Sequence, residues 1–324
     1  MRQGQSPRAG LGLAIFSALT FSTSGPLAKS LIDAGWSPAA AVITRISIAA
    51  LVLAIPAWAS MRGRWGTLRR QSAIVAVYGL VAVAGAQLFF FNAVQHLSVG
   101  VALMLEYLGT VLVVAWMWIR HGHRPHRLTL SGSAAALAGL VLVLGVIGHS
   151  HLDLAGVMWG LGAAFGLATF FVLASHGDDD LPPVALASAG MGVGAVTLLG
   201  LAGVGVLPMH ATFASVAIAG HRVSWLIPVA GLSLVAAVIS YVSGITAARL
   251  LGPKLASFVG LSEVVFAVLI AWLLLGELPT TIQLAGGALI VAGIALVRVD
   301  EMRGSQPSPP LPAGDGALSG SSLG

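Results

Sequence analysis

Four charged side chains, Lys29, Arg45, Glu106 and Glu263, lie inside long apolar runs that carry almost no other charge. A charge in hydrocarbon costs on the order of 2.5–3.5 kcal/mol by insertion scales, so such residues mark solute paths, proton relays or packing pairs. Two carboxylates and a guanidinium suit the ammonium and carboxylate of a zwitterion, or an exchangeable proton. Arg45 is forked and permanently charged, which suits a carboxylate. It shares the depth of Glu106, each about seven residues or roughly 10 Å from the same end of its run. A direct or water-bridged Arg45–Glu106 pair is therefore expected, in competition with substrate contact. Glu263 meets no basic residue at its own depth and is the first candidate for solute binding or proton exchange. Lys29 lies near the end of its run, where it reads as a side chain snorkelling to water or as a site residue. Gln87, Gln95, Ser240, Tyr241 and Ser243 offer hydrogen bonds to a polar solute. Each also reads as a bond between helices, worth about 0.6 kcal/mol in a membrane.

The elements that position these groups are apolar spans. Of the 324 residues, 57% are hydrophobic and 8% charged, and the mean hydropathy is +0.95. No soluble domain has that composition. Crossing roughly 30 Å of hydrocarbon takes about 20 residues. The expected spans are residues 11–31, 38–57, 72–93, 99–119, 130–148, 154–175, 184–207, 224–248, 255–275 and 282–297. Breakers separate many of them, among them Gly35 with Pro38, Gly252-Pro253 and Glu277-Leu278-Pro279. The first run approaches spanning length and lacks a clear cleavage site, so it reads as a span and not a signal peptide. Alternate loops place Arg62, Arg64, Arg69, Arg70, Arg120, Arg124, Arg127, Arg249 and Lys254 on one side, with Arg222 on the other. The positive-inside rule then sets both termini in the cytoplasm of a multi-pass inner-membrane protein.

The stretch from Glu106 to Trp116 resembles that from Glu263 to Trp272, each a glutamate followed by aliphatics and a tryptophan. The fourth and ninth spans thus correspond, and the repeat is five spans long. An odd repeat enters the membrane from the opposite side in its second copy, a transporter signature. The expected fold is an all-α membrane protein of ten transmembrane helices in two inverted five-helix repeats. Residues 1–9 form a cytoplasmic N-terminus, 10–149 the first repeat, 150–300 the second, and 301–324 a disordered cytoplasmic tail rich in Pro, Gly and Ser.

Other chemistries are excluded or weak. The net charge of +5 is topological and does not indicate nucleic acid. The absence of cysteine removes disulfides and thiolate metal sites. His121, His123 and His126 read as a solvated basic loop, and Asp178–Asp180 is a single acidic run where a diphosphate-binding enzyme needs two. No HExxH, nucleophile elbow or Walker A motif occurs. Neither a cofactor nor a metal is expected, and an intramembrane enzyme is a remote alternative. Gly156, Gly160, Gly162 and Gly166 make overlapping small-xxx-small patterns that read as close packing within the chain.

The stretches GPLAKSL (25–31), TRISIAAL (44–51), LEYLG (105–109), SEVVFAVLIAWLLLGE (262–277) and IQLAGGALIVAGI (282–294) resemble the drug/metabolite transporter superfamily, EamA type. Within it, the chain is most similar to the bacterial threonine/homoserine exporter group. The resemblance implies a ten-helix inverted repeat around a cavity lined mainly by the first, third, fourth, sixth, eighth and ninth helices. It also implies a secondary transporter exporting small amino acids or related metabolites by alternating access, with a proton as a candidate partner. A carrier for a cationic drug or nucleoside is the alternative. Family members commonly carry a proline after each intramembrane glutamate motif, where this chain has Thr110 and Val264.

Overall fold

The computed structural model describes residues 7–109, 111–112, 119, 127–143, 153–175, 181–260 and 262–304. Five helices among them are long and apolar enough to cross a bilayer: Arg8–Asp33, Pro38–Ser60, Ser72–His96, Pro183–Gly203 and Leu226–Leu251. Shorter apolar helices run over Leu130–Gly139, Leu154–Phe170, Ser262–Leu275 and Leu284–Gly293. The protein is a mostly helical membrane protein. Large side chains such as Leu51, Ile55, Val196 and Leu273 lie on its outside, as a lipid-facing surface requires, because lipid tails are as apolar as leucine.

Numbered by the spans expected from the sequence, the first is two helices, α1 (Pro7–Phe21) and α2 (Ser24–Asp33). Thr20, Ser22 and Thr23 each return a hydroxyl hydrogen bond to a carbonyl three or four residues back. Such bonds compete with the helix ladder and bend it. The second span, α3 (Pro38–Ser60), starts at an N-cap that the sequence advertises: Ser37 Oγ accepts from Ala40 N–H at 3.2 Å, with Pro38 in the first turn. A short α4 (Trp65–Arg70) leads to the third span, made of α5 (Ser72–Val77), a π-helical segment (Tyr78–Gly85) and α6 (Ala86–His96).

The fourth span begins as α7 (Val99–Tyr107), followed by α8 (Arg127–Val143), α9 (Leu154–Ser175) and α10 (Pro183–Gly203). The eighth span repeats the architecture of the third: α11 (Leu226–Ala230), a π-helical segment (Gly231–Ile239) and α12 (Ser240–Gly260). The last two are α13 (Ser262–Leu275) and α14 (Thr281–Gly304).

Packing pairs the spans in a regular way. α1 lies on α12 and α9 on α6, so the first span meets the eighth and the sixth meets the third. α10 packs on α3, α14 on α8 and α13 on α7. Exchanging each span for the one five places away leaves this set of pairs unchanged. Small residues make the approaches possible. A Cβ on Gly160 would meet Leu105 at 2.7 Å, on Gly162 Phe89 at 2.8 Å and on Gly166 Ala86 at 2.5 Å. The glycines of the sixth span thus serve packing inside the chain, as their spacing implied.

The structure departs from the sequence expectations in several places. The connection expected at Gly252-Pro253 is helical, and α12 continues to Gly260. Glu263 consequently sits in the first turn of α13, whereas a span starting at residue 255 had put it near the middle. A proline inside a helix removes one N–H and is tolerated in membranes where neighbours satisfy the freed carbonyl. The helix that carries Glu106 still breaks beside it without the family's proline, α7 ending at Tyr107 with a turn at Leu108. The last helix runs to Gly304, so residues 301–304 are not part of a disordered tail. The fold is not wholly α either. Val216–Ile218 and His221–Val223 form an antiparallel hairpin with Val216 opposite Val223. Its turn places Ala219 at φ 51° and Gly220 at φ 76°, left-handed values that glycine adopts without strain. The histidine cluster at 121–126 and the acidic run at 178–180 fall outside the described residues.

Candidate functional site

The spans that pair across the molecule enclose a cavity of about 120 Å³. Its wall comes from the first span (Ala14, Ser17, Ala18, Phe21), the third (Ala82, Ala86, Gln87) and the fourth (Glu106, Tyr107). The sixth (Leu167, Phe170), the eighth (Ser240, Tyr241, Gly244) and the ninth (Glu263) complete it. Alanine, glycine and aromatic faces dominate, and the polar groups are few and convergent, as in ligand sites generally.

Both π-helical segments end beside the cavity, and Ala82 of the first already lies in its wall. Gln87 lies two residues beyond the first segment, and Ser240 and Tyr241 directly follow the second. A π turn adds a residue to the helical turn and rotates the side chains beyond it, which is why such turns gather at functional sites. Here they aim Gln87 and Tyr241 at each other: Gln87 Nε2 donates to Tyr241 Oη at 2.8 Å, joining the third span to the eighth. Gln87 Oε1 and Ser240 Oγ are left without a partner among the described residues. A buried polar atom left unmade costs about 1–3 kcal/mol, a debt that a polar solute could settle.

The two glutamates differ in surroundings. Tyr107 Oη lies 3.0 Å from Glu263 Oε2 and 2.8 Å from Gly260 O. Glu106 is 7% exposed and lines the same cavity, with no side-chain hydrogen bond to another described residue. The direct Arg45–Glu106 contact expected from their depths is not formed. Arg45, 1% exposed, donates from one terminal nitrogen to Ser24 Oγ at 2.6 Å and from the other to Ala236 O at 2.7 Å. The Phe21 and Phe91 rings lie 5.3 and 5.7 Å from its guanidinium carbon. Equal depth says nothing about which helix face a residue occupies. Arg45 points toward the kink of the first span and the π segment of the eighth, whose loosened ladder leaves a carbonyl to accept.

Of the other sequence candidates, Ser243 returns its hydroxyl to Ile239 O at 2.7 Å within its own helix, and Gln95 is exposed. Neither lines the cavity. Lys29 does not snorkel to bulk water. Its side chain is 17% exposed, 3.7 Å from Glu277 Oε1 and 3.9 Å from Asp33 Oδ1, and it donates to Val94 O at 3.2 Å. Glu277, Tyr107 and Phe170 were missed by sequence reasoning. Glu277 was read only as part of a breaker, and an aromatic residue in an apolar run looks like core.

A family model for the EamA-like transporter family matches residues 8–145 and again 154–299. The chain belongs to the EamA-like transporter family. The double match makes it a duplicated helical unit, and it is a membrane transporter, not an enzyme. An uncharacterized inner membrane transporter of Salmonella typhimurium, YicL, is 23% identical over 92% of this chain and 98% of its own length. A probable terminal-alkyne amino-acid exporter of Streptantibioticus cattleyicolor is 26% identical over 87% of this chain and 91% of its own. A solved crystal structure covers 93% of this chain and 100% of its own with a TM-score of 0.63 at 19% identity, a likeness of fold alone.

Proposed function

We propose that this EamA-like protein is a secondary transporter of the inner membrane that exports small amino acids or related metabolites by alternating access. In this reading it has ten transmembrane helices in two inverted repeats, residues 10–149 and 150–300, with both termini cytoplasmic. Its specificity falls to the threonine/homoserine exporter group or near it. The observation that carries the reading is the convergence of polar groups on one apolar cavity between the two halves: the Glu106 carboxyl with Gln87 Oε1 and Ser240 Oγ, the latter two without a partner among the described residues. A solute ammonium suits the carboxyls, and hydroxyl or carboxylate groups suit the amide and the serine. The packing set that survives a five-span exchange supports the inverted repeat. The relative named as an amino-acid exporter supports the solute class.

Glu263 is the proton-exchanging candidate in this mechanism. The Tyr107 hydroxyl has one proton and faces two acceptors, Glu263 Oε2 and Gly260 O, so it serves one at a time. A proton on Glu263 completes both bonds, because the carboxyl then donates to Tyr107 while Tyr107 donates to Gly260. The test is efflux of a labelled amino-acid panel from proteoliposomes with and without an imposed pH gradient. The gradient should accelerate wild-type efflux, and Glu263→Gln should abolish that acceleration while leaving the fold and downhill exchange in place. Rates indifferent to the gradient, together with a fully active Glu263→Gln, would remove Glu263 from the mechanism.

A second reading, a carrier for cationic amphiphiles, is favoured by the aromatic wall of Phe21, Tyr107, Phe170 and Tyr241 around two carboxyls. Including quaternary amines in the same panel separates the two.

A further inference from the structure

Four spans that line the cavity meet again at the hairpin face, and there they are closed by ions. We propose that Lys29 and Glu277 are positioning residues for transport, forming the latch that holds the cavity shut toward the hairpin face. The proposal rests on the transporter reading above and assigns its gate.

The first span shows the layers in order. Ala14, Ser17, Ala18 and Phe21 face the cavity. Past the kink, Ser24 receives Arg45. One residue further, Gly25 packs so tightly against Val99 that a Cβ there would overlap it, with Phe90 at 3.4 Å. Lys29 comes next, roughly 12 Å beyond Phe21 at helical rise. The other spans run in the same sequence. On the ninth, Glu263 is in the cavity wall and Val268 packs at 3.2 Å from where a Gly100 side chain would begin. Glu277 stands roughly 20 Å beyond Glu263.

At the top, one carboxylate ties three spans. Glu277 Oε1 is 3.7 Å from Lys29 Nζ, and Glu277 Oε2 accepts from Val99 N–H at 3.1 Å, satisfying an orphan donor at the start of α7. Lys29 adds the third span through Val94 O. The hairpin lies over the same end, with Ala219 N–H donating to Leu274 O at 2.7 Å. The cavity sits on the other side of this closed layer. Turning it toward the hairpin face requires the first, fourth and ninth spans to part, and every such movement breaks Lys29–Glu277–Val99.

The chain has no cysteine, so single cysteines can be probed directly. Arg62→Cys and His221→Cys report which face of a sealed vesicle is which, and Ala18→Cys reports the cavity. The probe is a membrane-impermeant maleimide added from one side. With the latch intact, Ala18→Cys should label from the Arg62 side and barely from the His221 side. Glu277→Gln, which keeps an oxygen for Val99 but drops the charge, and Lys29→Met should each raise labelling from the His221 side about tenfold, the equivalent of about 1.4 kcal/mol. Lys29→Arg should keep it low. Joining Lys29→Cys to Glu277→Cys with a bifunctional maleimide should abolish labelling of a buried cavity cysteine from the His221 side.

Folded Glu277→Gln and Lys29→Met that label as the parent does would overturn the latch. Should neither fold, a cross-linked protein still open to the His221 side overturns it. Labelling needs no solute, so a protein that moves none of the amino-acid panel would sink the export reading and leave this result standing.

Discussion

Asp153 shows at the residue scale how a single side chain sets a helix start. Its carboxylate accepts from Ala155 N–H at 3.0 Å and Gly156 N–H at 3.2 Å, capping α9, and its other oxygen lies 2.7 Å from His96 Nδ1 at the end of α6. The Gly156 N–H and the His96 side chain hold its pKa below the ordinary aspartate value. A carboxyl depressed in the folded state stabilises fully above its unfolded pKa of about 3.9, and that contribution is lost as pH falls through the folded value. Wild type should therefore unfold at a higher temperature than Asp153→Ala at neutral pH, with the two midpoints converging as pH drops below roughly 4. Equal midpoints at neutral pH would deny the cap. Inside the membrane, Tyr241→Phe removes the acceptor of Gln87 Nε2. Leaving that amide unpaired should cost about 1–3 kcal/mol, read as a lower thermal midpoint that Gln87→Met, which removes the orphan, partly restores.

Close helix approach is the governing fact at the element scale. The sixth span can lie on the third only because Gly162 and Gly166 present no side chain to Phe89 and Ala86, and on the fourth because Gly160 presents none to Leu105; Gly166 faces the backbone and Cβ of Ala86, a cavity residue. Gly166→Leu must push α9 off α6, and overpacking of that kind costs about 1–3 kcal/mol. The expected outcome is poorer survival in detergent together with weakened solute binding, since the same displacement moves the cavity wall. Gly192→Leu is the control, because a Cβ there meets nothing within 4 Å and should leave both measurements near wild type. The two π-helical segments belong to this scale too. They stand at corresponding places in the third and eighth spans, and each delivers a polar side chain to the cavity.

For the whole molecule, the family match in two blocks and the exchange-symmetric packing describe one structural unit used twice. The cavity lies where the two uses meet. Only residues 34–37 separate the spans Arg8–Asp33 and Pro38–Ser60, so the proposed topology puts Arg62, Arg64, Arg69 and Arg70 on the side where α1 starts and predicts that fusions at this loop report a cytoplasmic location and fusions in the 208–223 segment the opposite side. A reporter placing the Arg62–Arg70 loop outside would reverse the orientation, and with it the direction assigned to the latch. The fold and the cavity would be untouched.

The apolar spans, the duplication of the helical unit and the rare charges within the spans were legible in the residues. Hydrophobic length and rare buried charges are one-dimensional properties that a bilayer reads directly. Helix starts such as Ser37-Pro38 were legible for the same reason, since a cap is a local bond. Facing was not. Depth along a span ignores rotation about it, so Arg45 was matched to Glu106 when its nitrogens reach Ser24 and Ala236. The Gly252-Pro253 pair was read as a break because an isolated helix would end there, while within the bundle the helix continues to Gly260. The π segments, the Tyr107–Glu263 contact and the carboxylate of Glu277 between three spans depend on distances between helices far apart in the chain. Tertiary packing alone decides those, because a side chain's partner is chosen by which helix face lies opposite and not by its place in the sequence.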